Sequence, residues 1–192
     1  MNYEGFNWLN KSHYEKKKNG IEIFAPENSD YFICPIEKKA TLTAPFLFKE
    51  ISGDFVLRAK VSHDFSSQYA ACGLLAFDNN DLWAKACFEM SDFNTHTIVT
   101  VMTNKVSDDA NGVNIDNKEI WLQLARKGNV FAVHYSNNGK EFKMVRLTYM
   151  PMSSTIKVGL EAQSPVGAGG MRYFSDVVLE SVTLMNIRNG NF

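Results

Sequence analysis

Apolar and polar residues alternate with period two along most of this 192-residue chain. That pattern limits the fold more than any other feature, because side chains on a strand point to opposite faces in turn. Phe55, Leu57, Ala59 and Val61 fall on one face, with Arg58 and Lys60 on the other. Ile120, Leu122 and Leu124 alternate with Trp121 and Gln123, and Phe131, Val133 and Tyr135 with His134 and Ser136. Tyr69 to Phe77 is a nearly unbroken apolar run ended by Asp78-Asn79-Asn80-Asp81, and Leu82 to Met90 follows, so the two read as a hairpin. Thr97 to Thr103, Phe142 to Leu147, Thr155 to Gln163 and Tyr173 to Met185 extend the set, and Asn138-Gly139 marks another hairpin turn. About a dozen strand candidates result, with no sustained helical stripe. The segments Ser107 to Asn117 and Ser164 to Gly170 are expected to be loops.

The expected fold is all-β: a two-sheet antiparallel jelly-roll sandwich, with residues 1–192 as one domain. Phe55, Leu57, Leu74, Phe88, Leu122, Leu124, Phe131, Val133, Leu160 and Leu179 are its expected core. A chain of this length buries roughly 70% of its unfolded surface and needs no metal or disulfide staple. Cys34, Cys72 and Cys87 form no CxxC pair and no zinc-spaced cluster, so neither a metal site nor a cofactor is expected. Asp78 to Asp81 and the pair Asp108-Asp109 lack EF-hand spacing and read as solvated turns.

Charge narrows the partners. Lys and Arg number 20 against 21 Asp and Glu, a formal net charge of -1. No basic surplus favours nucleic acid, and no uncharged stretch is long enough to span a bilayer. The first twenty residues show no apolar signal core or small-residue cleavage site, which makes the cytoplasm the expected location.

The order of several segments resembles the DUF1349 family. They are Ser52-Gly53-Asp54-Phe55, Gly73-Leu74-Leu75, Trp83 to Glu89, Trp121-Leu122-Gln123-Leu124, Asn138-Gly139, Val158-Gly159-Leu160 with Ser164-Pro165, and Phe174-Ser175-Asp176. The resemblance covers about Phe6 to Leu184. It implies a concanavalin A-like lectin/glucanase fold, with a more distant similarity to the C-terminal β-sandwich domain of β-xylosidases. Two family positions differ here. The Gln usually found before the Ala-Gly-Leu run is replaced by Ala71, and the Ser-Asp-Trp motif is absent from NKVSDDAN at 104–111.

Alternation also nominates a surface. Trp83, Lys85 and Glu89 share one face of their strand, while Gln123, His134 and Glu161 oppose the apolar sides of theirs. Gathered on one concave face, these six would stack on and hydrogen-bond a saccharide or similar polar ligand. The same residues have plainer readings. Lys85 and Glu89 would form charge pairs with neighbouring strands, Trp83 would cap a sheet edge, and His134 would hold a backbone group. A non-catalytic binding module is the first functional expectation, and an intracellular protein-interaction or regulatory domain the second. The third is a glycoside hydrolase using Glu89 and Glu161. That reading lacks the E-x-D-x-E strand of many glucanases. Such a reaction also needs two carboxyls set about 5–5.5 Å or 6.5–9.5 Å apart. Arg58 and Lys60 are expected to guard a sheet edge.

Overall fold

The computed structural model describes residues 3–191, so the outermost ends of the expected domain, 1, 2 and 192, lie outside the described residues. In chain order the strands are β1 (Asn7–Leu9), β2 (Tyr14–Lys17), β3 (Gly20–Ala25), β4 (Tyr31–Ile33), β5 (Ala40–Leu42), β6 (Phe46–Ser52), β7 (Phe55–His63) and β8 (Ala71–Asn79). There follow β9 (Leu82–Met90), β10 (His96–Asn104), β11 (Val106–Asn114), β12 (Glu119–Lys127), β13 (Val130–Ser136), β14 (Lys143–Tyr149), β15 (Thr155–Gln163) and β16 (Gly170–Glu180). No helix occurs among the described residues.

Two seven-stranded antiparallel sheets form the sandwich. One runs β1-β6-β15-β8-β9-β10-β11 and the other β14-β13-β12-β7-β16-β3-β2. Their facing sides enclose the main core, which contains all ten expected residues; nine are fully buried, and Leu179 packs on it from a half-buried position. Alternation made this core readable, since each strand commits one side to it.

Three features depart from the sequence expectations. β11 is a strand, although Ser107 to Asn117 reads as a loop. It is an edge strand, so its polar side chains need no second layer, and pairing with the apolar β10 is enough to extend it. β16 ends at Glu180, and the chain beyond it is a tail rather than strand. β7 is central, between β12 and β16, so Arg58 and Lys60 guard no edge. Lys60 pairs across the strand with Glu119 at 2.6 Å, and Arg58 lies over the Phe142 ring.

Each sheet is also covered on its outside. β4 and β5 form a two-stranded ribbon. Tyr31 and Ile33 of this ribbon pack with Phe46, Phe48, Leu75, Phe77 and Trp83 in a second apolar cluster on the outer face of the first sheet. On the second sheet the tail residues Val182, Leu184 and Ile187 pack on Val56 and Ala125. At Gly139, φ is +70° and an added Cβ would sit 2.7 Å from the Trp121 ring. The Asn-Gly turn therefore folds tightly onto Trp121, which serves the hairpin.

Candidate functional site

Strand register lays out the outer face of the first sheet as cross-strand rows. Phe48, Gly159, Leu75, Lys85, Val101 and Asp109 form one row. Phe46, Glu161, Gly73, Cys87, Val99 and Asn111 form the next. Gln163, Ala71, Glu89 and Thr97 form the third. Lys85, Glu89 and Glu161 are thus brought to one face, as alternation predicts.

Lys85 is 1% exposed and its ammonium group is fully engaged. It donates to Asp30 Oδ1 at 3.0 Å, to the Tyr31 carbonyl at 3.0 Å and to Gln163 Oε1 at 2.5 Å. An ammonium group has three donors, and all three are used. Burial opposes the charge, but the acidic groups around it, Asp30 foremost, outweigh burial and hold the lysine pKa above its ordinary value. The ion-pair partner is Asp30, not Glu89. This triad fastens the start of the ribbon to the sheet. Gln163 continues the network, donating from Nε2 to the Tyr69 carbonyl at 2.8 Å and to Glu89 Oε2 at 3.4 Å.

Glu161 is 0% exposed, and neither of its carboxyl oxygens has a hydrogen-bond partner. Its side chain lies over Gly73, where an added Cβ would fall 2.2 Å from Oε2. Burial raises the Glu161 pKa to about 8, against attraction from Lys85. Burial also raises Glu89 to about 8, with Asp30 and Asp109 adding repulsion. Both acids are therefore largely protonated at neutral pH, when each is cheaper to bury uncharged.

Trp83, Gln123 and His134 do not join them. Trp83 is 0% exposed. It stacks on Phe77 with ring centroids 6.0 Å apart and meets the Tyr31 ring edge-on. It belongs to the cluster beneath the ribbon, so it offers no stacking surface. Gln123 and His134 lie on the second sheet, under the C-terminal tail. Gln123 Nε2 donates to the Gly190 carbonyl at 3.0 Å and Arg58 Nη2 to the same oxygen at 2.7 Å. His134 Nε2 bonds the Ile187 carbonyl at 2.9 Å. These groups hold the protein's own tail, which is the backbone-holding role open to His134 from the start.

Burial lowers His134 to about 4, with the Arg58 charge acting the same way. Ending the chain at Met185 is expected to return that titration toward 6.5, followed by NMR of the imidazole, and to cost about 2 kcal/mol in denaturant unfolding.

The open part of the first sheet's outer face is a cavity of about 370 Å³ beside the ribbon. Phe32, Tyr69, Val99, Val101 and Pro165 form its apolar walls, and Asp30, Lys85, Glu89, Asp92, Asp109, Asn111 and Gln163 its polar ones. Among the described residues no group of three or more His, Cys, Asp or Glu side chains is placed to hold a metal ion. Sequence reasoning missed Asp30 and Asp92 because they lie outside the strands and carry no periodic signal, Tyr69 because it reads as part of an apolar strand that in fact begins at Ala71, and Asp109 because its strand reads as a loop. Gln163 was within reach, two positions from Glu161 on the same face.

Comparison with known proteins agrees with this architecture. A curated Saccharomyces cerevisiae protein named "Regulation of enolase protein 1" is 26% identical over 171 residues, covering 88% of this chain and 86% of the relative. A crystal structure described as a functionally unknown protein from Saccharomyces cerevisiae superposes with a TM-score of 0.87 at 25% identity, covering 95% of this chain and all of that one. The carbohydrate-binding module CBM66 from Bacillus subtilis shares the fold at a TM-score of 0.62 and 15% identity, over 94% of this chain and 98% of the module. A xylan beta-1,4-xylosidase from Bacillus halodurans C-125 contains it at a TM-score of 0.69 and 9% identity, over 84% of this chain and 33% of the enzyme. The family model for proteins of unknown function DUF1349 matches residues 8–182, and the chain belongs to that family.

Proposed function

We propose that this protein is a non-catalytic binding module that takes a polar, sugar-sized ligand in the cavity beside Lys85. The carrying observation is the cavity itself. Its volume of about 370 Å³ lies in the range of small-molecule sites, and it sets aromatic and aliphatic walls against carboxyl oxygens. A sugar ring has an apolar face for Tyr69 and Phe32 and hydroxyl donors for Glu89 and Asp109. Likeness in fold to a carbohydrate-binding module supports the reading at the level of architecture alone.

Lys85 and Gln163 build the floor, and Tyr69, Glu89 and Asp109 meet the ligand. A saccharide panel tested by calorimetry is expected to give at least one binder, and Tyr69→Ala is expected to weaken it by about 10-fold, the worth of one good aromatic contact. Failure of every saccharide to bind would overturn the carbohydrate reading.

The hydrolase alternative is disfavoured by the state of its acids. Glu161 is sealed from solvent and both carboxyls are largely protonated at neutral pH. A hydrolase needs one of the pair ionised and both against the scissile bond. Glu89→Gln and Glu161→Gln should leave any hydrolysis in a preparation unchanged.

A second reading, a regulatory contact with another protein, draws on the name of the yeast relative and on Phe93, which is 72% exposed next to the cavity residue Asp92. Loss of a captured protein partner on Phe93→Asp, with saccharide binding intact, would identify it.

A further inference from the structure

We propose that the ligand of the Lys85 cavity carries a positively charged amine. This rests on the reading of the cavity as a ligand site and narrows the chemistry of what fills it.

The free hydrogen-bonding groups around the cavity are unequal in kind. Most side-chain donors around the cavity are engaged by the protein, the Tyr69 hydroxyl and one Asn111 amide hydrogen excepted. All three Lys85 donors are taken, the Gln163 amide nitrogen serves Tyr69 and Glu89, and Asn111 Nδ2 donates to Asp92 Oδ1 at 3.2 Å. What remains open is mostly carboxyl oxygen, although Glu89 in its protonated form also carries one O–H. Glu89 is 6% exposed, and its one hydrogen-bond partner among the described residues is the Gln163 amide at 3.4 Å. Its second oxygen is left for whatever enters. Asp109 stands on the edge strand β11 opposite Val101 and has no hydrogen-bond or salt-bridge partner among the described residues. Asp30 spends one oxygen on Lys85 and keeps the other.

Charge points the same way. Asp30, Asp92 and Asp109 face one ammonium group, Lys85, whose charge Asp30 already balances. Mutual repulsion among these carboxylates contributes to the raised pKa of Asp109, after burial. An incoming cation relieves that repulsion, whereas an acidic ligand adds to it. The walls suit a cation as well, since Phe32 and Tyr69 present aromatic rings on which an ammonium group rests favourably. An amine flanked by hydroxyls or methylenes, as in an amino sugar or an aliphatic polyamine, satisfies acceptors, charge and rings together.

The test is calorimetric titration of the whole chain at pH 7 with three probes: glucosamine, N-acetylglucosamine and spermidine. Acetylation removes the charge and keeps the ring. Glucosamine is expected to bind at least about 10-fold more tightly than N-acetylglucosamine. Asp109→Asn, an exposed substitution on an edge strand, should weaken glucosamine by a similar factor and N-acetylglucosamine by much less, so that the preference between the two sugars is lost. Equal binding of the two sugars, or an Asp109→Asn chain that holds glucosamine undiminished, overturns the amine inference and leaves the carbohydrate reading standing. Binding of spermidine without either sugar supports the amine and overturns the carbohydrate. Binding of none of the three overturns the amine inference.

Discussion

Replacing Lys85 with methionine is expected to destabilise the protein by about 3–5 kcal/mol, because it removes one partner of a buried ion pair and leaves the other uncompensated. In a chain of this size that lowers the melting temperature by roughly 10 °C. Methionine preserves the length of the side chain, so the loss comes from charge and hydrogen bonds rather than from a void. Asp30 Oδ1, the Tyr31 carbonyl and Gln163 Oε1 all lose their donor at once. Tyr31 anchors the ribbon over Trp83, so tryptophan fluorescence should report a loosened ribbon before global unfolding. A loss below about 1 kcal/mol would mean that the network behaves like an exposed pair.

The second large effect is on pH dependence. Glu89 and Glu161 titrate at about 8 in the folded chain and at 4.5 when unperturbed. A raised carboxyl stabilises fully below 4.5, and that contribution is lost as pH rises through 8, at up to about 1.4 kcal/mol per pH unit for each group. His63 and His134 act in the opposite sense. Burial lowers them to about 3 and about 4, so their contribution is present above 6.5 and lost as pH falls through those values. Between pH 4.5 and 6.5 the two pairs nearly cancel. Above 6.5 only the glutamates still change, and stability should fall by up to roughly 3 kcal/mol per pH unit until about pH 8. Glu161→Gln removes one ionisable group without changing its shape, so the slope should halve. Denaturant unfolding at pH 5, 6.5 and 8 measures both chains, and identical slopes would mean that Glu161 is paired or hydrated in solution.

The sandwich itself was legible because β7, β9, β12 and β13 each give one side to the core, and period two survives without knowledge of neighbours. The candidate site was legible only within a strand. Alternation placed Lys85, Glu89 and Glu161 on the outer side correctly, but Gln123 and His134 satisfy the same rule from the other sheet. Period two says which side faces away from the core; it does not say which sheet carries the strand or what covers it. Trp83 was misread for that second reason. Its cover, Tyr31, lies on a three-residue strand some fifty residues earlier in the chain, too short to show a period. β11 was missed because an edge strand needs no apolar alternation when its neighbour supplies the pairing.

The placement of Glu161 over Gly73 also binds two distant positions into one heritable unit. No β-carbon fits at 73 while a glutamate occupies 161 in this pose, since the two atoms would be 2.2 Å apart. Any other residue at 73 therefore requires the Glu161 carboxyl to turn aside or to be replaced. A lineage that gains alanine at 73 is expected to carry a shorter side chain at 161, or a glutamate turned away from residue 73.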